Sequence, residues 1–107
     1  MIYKFKSKAA GDLIMLGPNG DALMRALGRE PAAQGIIEVA AMPAAIEAIH
    51  AAIAADEALQ AQAQAEAAAR GERLPARQGI SPRQRMGPML DMLGRAMAAA
   101  EPIVWGI

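Results

Sequence analysis

His50 is the single histidine of this 107-residue chain, and Glu47 precedes it by three residues. On a helix the two share a face, where a carboxylate and an imidazole can pass a proton. Hydrolytic chemistry would also need a nucleophile. The chain has no cysteine and no threonine, and its serines, Ser7 and Ser81, are far from His50 in sequence. A metal centre would need further ligands converging from elsewhere. Asp56 and Glu57 are adjacent, so on a helix they diverge and share no site. No catalytic residue, metal or cofactor is therefore expected, and Glu47 and His50 read as a helix flank.

Three other stretches invite chemistry. "GPNG" separates an apolar run from a helix-like segment, and amides at a helix N-terminus attract anions. Gly17, Asn19 and Gly20 are thus a candidate site for a small anionic ligand at the 17–21 turn. The spacing matches neither a P-loop nor a dinucleotide fingerprint, so a strain-relieving turn is the competing reading. Met86, Met89 and Met92 follow at three-residue intervals. Thioethers so spaced can hold Cu(I), but Met92 turns away from the other two, and core filling is expected. The arginines form the third case. From Glu30 to Ala69 there are acids and no Lys or Arg; from Arg70 to Arg85 there are five Arg and one Glu. Arg77, Arg83 and Arg85 are candidates for contacting an acidic partner. No aromatic is interleaved for base stacking, and the net charge is zero, so no nucleic-acid partner is expected.

The bulk composition limits the elements that could position such residues. The length suits one domain, 1–107. Hydrophobic residues make up 54%, but nearly half of them are alanine, and only three aromatics occur. One small core filled by aliphatics and eight methionines follows, with a dimer as a source of further burial. No run of 18 apolar residues and no export signal is apparent, so a cytoplasmic protein without a membrane span is expected.

"MIYKFKSK" alternates, with Tyr3 and Phe5 on one face and Ile2, Lys4, Lys6 and Lys8 on the other. It reads as a half-buried strand. "LIML" is apolar on both faces and reads as a better-covered strand, joined to the first by a loop of about five residues. Asn19 is placed to cap a first helix, with Asp21 in its first turn and Gly28 after its end. "GREPAAQGII" reads as a loop returning Ile36 and Ile37 to the core.

A second helix starts near Glu38 or Val39, tolerates Pro43 in its first turn, and carries Met42, Ile46, Ile49 and Ile53 as its buried stripe. Residues 60–80 read as an exposed helical extension and linker, ended by Arg70 and Gly71. "SPRQ" is a capping box with Pro82 at the first helical position. Met86, Met89, Leu90, Leu93 and Met97 form the stripe that follows, with a kink or restart at Pro88. Pro102 ends that helix.

"IVWGI" is too short for a stable helix and can persist as a strand only by pairing. Strands are available only at the other end of the chain. The expected fold is therefore α+β: a three-stranded antiparallel sheet, from the N-terminal hairpin and a C-terminal strand, with about three helices on the face that Trp105 shares with Tyr3 and Phe5.

"MIYKFKSKAAGDLIMLGPNGDALMRALGREP", "GIIEVAAMPAAI" and "EPIVWGI" resemble a family of short bacterial proteins known only as a domain of unknown function. The likeness covers most of the chain outside roughly Glu57 to Gly79. It implies a bulky aromatic before Pro88, where this chain has Gly87, and it implies no activity, cofactor or site residue. The functional expectation is a small cytoplasmic, non-enzymatic protein-interaction or regulatory module, contacting a second copy or another protein. A binder of a small anion at the 17–21 turn is the alternative.

Overall fold

In the computed structural model, which describes residues 2–75 and 79–106, the two ends of the chain lie side by side. Strand β1 (Ile2–Ser7) pairs antiparallel with β2 (Ala10–Leu16) and with β4 (Ile103–Trp105). Phe5 stands opposite Trp105, and Lys6 opposite Val104. Tyr3, Phe5, Ile103 and Trp105 are buried while Lys4 and Lys6 are exposed. This is the period-two reading of both segments.

The sheet has four strands where three were expected. Gly35–Ile37 forms β3 and pairs antiparallel with β4, giving the order β2-β1-β4-β3. Three residues are too few to show alternation, and the pairing is imposed by the backbone of Trp105 opposite Gly35. Ile37 joins the core, but Ile36, expected to do so, points the other way and is 41% exposed.

The hairpin is also tighter than expected. Only Lys8 and Ala9 lie between the strands, and a one-residue register shift between Phe5 and Ser7 takes up the difference. "LIML" is covered on one face only. Leu13 is half-buried and Met15 buried, whereas Ile14 and Leu16 are exposed. The physical reason is that the helices pack on one side of the sheet, and the second face of β2 looks away from them.

Helix α1 (Gly17–Ala26) begins directly after β2, with Leu16 at the N-cap and no side-chain cap. Asn19 therefore does not cap it, and Asp21 lies beyond the first turn. Pro18 falls where its missing N–H costs no helical bond. Gly28, at φ +76°, ends α1 through backbone bonds to Arg25 and from Arg29 to Met24.

A short 3-10 turn (Val39–Ala41) leads into α2 (Met42–Ala69), with Pro43 in the first turn. Met42, Ala45, Ile49 and Ile53 are buried. The helix continues past Leu59 as alanine and glutamine to Ala69, and Gly71 closes it with the same motif as Gly28. By length and composition, Val39–Ala69 is one helix apolar enough to cross a membrane, which the sequence reading did not anticipate. Met42, Ile46, Ile49 and Ile53 are used on the core, Leu59 is 68% exposed, and the remainder is mostly alanine.

Helix α3 (Pro82–Ala99) opens with the full capping box: Gln84 N–H donates to Ser81 Oγ at 3.2 Å, and Ser81 N–H donates to Gln84 Oε1 at 3.0 Å. It runs through Pro88 as one helix, not as two. Met86, Met89 and Leu93 are buried as expected. Met92 and Ala96 join them, while Met97 is 38% exposed. The buried arc is shifted because α3 is wedged between α2 and β2, so that Met92 meets the sheet edge.

Candidate functional site

Gly17, Asn19 and Gly20 lie together at the start of α1, and Arg83 and Arg85 at the start of α3. At the turn, Gly17 and Gly20 are buried and Asn19 half-buried. A Cβ on Gly20 would run into the Tyr3 ring, so this glycine serves close packing. The Tyr3 hydroxyl donates to Asp21 Oδ1 at 2.6 Å, which already sets a carboxylate near the N-terminal end of α1. Arg77 lies outside the described residues. Arg83 makes two 2.8 Å bonds to Glu57, and this hydrogen bond, with the carboxylate's charge, holds its pKa above the ordinary value. Arg85 bonds the Ile80 carbonyl at 3.5 Å.

Glu47 and His50 are exposed on α2, and no hydrogen bond joins them. Among the described residues, no group of three or more His, Asp or Glu could hold a metal ion.

Burial, and after it the hydrogen bond and charge of Asp21, push the Tyr3 phenol up to about 12 from its usual 10.0. The neutral phenol is thus preferred in the folded state. Its contribution to stability is complete below the unfolded value and is lost as pH climbs from about 10 to about 12. Tyr3 is the only tyrosine, so tyrosinate absorbance reads it alone. The folded midpoint is expected near 12, and Asp21→Asn lowers it part of the way to 10. A folded midpoint of 10 contradicts the packing described.

Trp105 sits in a niche built by the loop before β3. Its Nε1–H donates to the Ala32 carbonyl at 3.0 Å, and its ring meets Phe5 edge-on at 5.5 Å. The Arg29 guanidinium stands 5.9 Å from the indole centroid and donates to the Ile36 carbonyl at 2.8 Å. A Cβ on Gly35 would run into the indole, and Gly106, at φ +73°, lies against the Ala33 carbonyl. This is a structural lock with no reactive group in it.

Two hollows flank the sheet. One, of about 220 Å³, lies between β3 and the start of α2 and is lined by Leu27, Arg29, Ile37, Ala41, Ala44 and Ala45. The other, of about 240 Å³, runs between β2 and α3, past Gly11, Asp12, Leu13, Pro88, Asp91 and Arg95.

The surface that stands out is the sheet's uncovered side. Ile2, Ile14 and Leu16 are 64%, 62% and 62% exposed. Ile2 faces Leu16 across the strands and Ile14 faces Lys4, so the three form one apolar corner. Lys4 pairs with Asp12 at 3.6 Å, and Ile36 lies on the same side beyond Val104. The sequence reading missed this corner. The signal was present in the phase of "LIML": Ile14 and Leu16 fall in register with Ile2 and Lys4, the side it assigned to water.

The family described as a domain of unknown function, DUF1840, matches residues 1–105. This chain belongs to DUF1840. The family assignment agrees with the likeness drawn from the opening, middle and closing segments, and the description of DUF1840 assigns neither an activity nor a ligand. No curated protein matches this DUF1840 chain, nor does any solved structure.

Proposed function

We propose that this DUF1840 domain is a non-enzymatic cytoplasmic module that works through protein contacts, first of all with a second copy of itself. The contact surface is centred on β2, at the border of the sheet's uncovered side. The observation that carries this reading is the apolar corner of Ile2, Ile14 and Leu16, each more than 60% exposed. Large aliphatics gathered in one exposed patch mark an interaction surface more often than scattered ones do. The composition of the core argues the same way: three aromatics and six buried methionines make it small and adaptable, and it gains from burial between copies.

The double substitution Ile14→Lys, Leu16→Lys tests it. Both side chains are exposed, so the fold should survive with a loss of about 1 kcal/mol at most. Self-association should weaken at least about tenfold. Light scattering at matched concentration reads the mass, and circular dichroism reads the fold. An unchanged mass with an intact fold would count against this surface.

A further inference from the structure

The uncovered corner belongs to a strand that has a partner strand on one side only. β2 lies at one end of the order β2-β1-β4-β3, so about half of its backbone N–H and C=O groups face away from β1 with no strand to pair with, as on any edge strand. Natural edges are blunted by proline, by outward lysines or by a covering segment. β2 (AGDLIML) has no proline and no lysine, and its one charge, Asp12, is turned to Lys4 within the sheet.

Helix α3 runs alongside this edge. The hollow between them is lined by Ala10, Gly11 and Leu13 from β2, and by Pro88, Asp91 and Arg95 from α3. Asp91 and Arg95 are both exposed, one turn apart, and bonded to each other at 3.0 Å. They bracket Met92, which lines the hollow with Leu13. A two-fold axis through that level reverses the order of the two charges in the partner. Asp91 then meets the partner's Arg95, and Arg95 the partner's Asp91. An isologous interface requires such self-complementarity.

We infer that two copies join β2 to β2 in antiparallel register near Leu13, making one eight-stranded sheet flanked by paired α3 helices with reciprocal Asp91–Arg95 contacts. The arrangement satisfies the open edge with main-chain hydrogen bonds, as strand addition does elsewhere. With the axis near Leu13 the two Ile14 side chains meet diagonally across the seam, and the apolar corner borders the contact. This rests on the self-association proposed above and adds its geometry.

The test exploits the reciprocity. Asp91→Arg sets two arginines against two arginines, and Arg95→Asp sets two aspartates against two. Each variant alone is expected to dissociate at least about tenfold more readily than the unaltered chain. An equimolar mixture of the two is expected to recover association, because every Arg then faces an Asp. Loss of the bond within the helix gives no such recovery. Hydrogen exchange of the full chain adds a second reading: amides of Ala10–Leu16 should slow as concentration carries the chain from monomer to dimer. A mixture that associates no better than either variant, or β2 amides that exchange equally in both states, overturns the inference and leaves self-association standing. A chain that is monomeric throughout overturns both. A foreign peptide that protects β2 while the chain itself does not pair overturns the choice of partner.

Discussion

Trp105→Ala is expected to lower stability by about 3–5 kcal/mol, the range for removing a large buried aromatic. Trp105 is the only tryptophan, and its indole closes the core where the two ends of the chain meet. The ring contacts Phe5 at 5.5 Å, its N–H is satisfied by Ala32, and Arg29 covers its face. Truncation leaves a cavity, an orphaned carbonyl at Ala32 and an exposed junction between β1 and β4. A domain of this size holds only about 5–15 kcal/mol in total. At several degrees per kcal/mol, the melting temperature should fall by roughly 15–25 °C in a thermal circular-dichroism scan. A fall of less than about 5 °C would mean that the closing strand does little to hold the sheet together.

Gly35→Ala should also be damaging, for the opposite reason. The added methyl would occupy space held by the indole, and the opposed backbones of Gly35 and Trp105 are paired in the sheet, so neither withdraws easily. Overpacking of this kind costs about 1–3 kcal/mol, sometimes more. The informative measurement is the double-mutant cycle. In a Trp105→Ala background the new methyl has room, and Gly35→Ala should cost much less than in the parent. A coupling of about 1–3 kcal/mol is expected from denaturant midpoints. Purely additive effects would show that the glycine is required for some reason other than the indole.

These two residues show where sequence reading succeeds and where it stops. Trp105 in an extended closing segment, two aromatics at matching phase in the opening strand, and the need of a short strand for a partner were enough to bring the ends together. The Ser81–Gln84 capping box was equally legible because every part of it lies within four residues. Gly35 and Gly20 were not legible as packing positions, because each is dictated by a ring that arrives from far along the chain. β3 escaped for the same reason: its three residues become a strand only once β4 lies beside them.

The candidate surface was hidden because the sequence does not say which side of the sheet the helices cover. "LIML" has apolar residues at both phases, and alternation alone does not say which phase is covered. That is decided by the helices lying on one side of the sheet only, which places Leu13 and Met15 inward and leaves Ile14 and Leu16 outside. The basic segment misled in the other direction. Arg83 is bound by Glu57, twenty-six positions earlier, a pairing that no local pattern reveals.

Sedimentation equilibrium on the unaltered chain, over a wide range of concentration, tests the proposed function most directly. A shift of the weight-average mass from the 11.2 kDa of one chain toward twice that value is the expected result. A mass that stays at 11.2 kDa up to the highest concentration reached would contradict it.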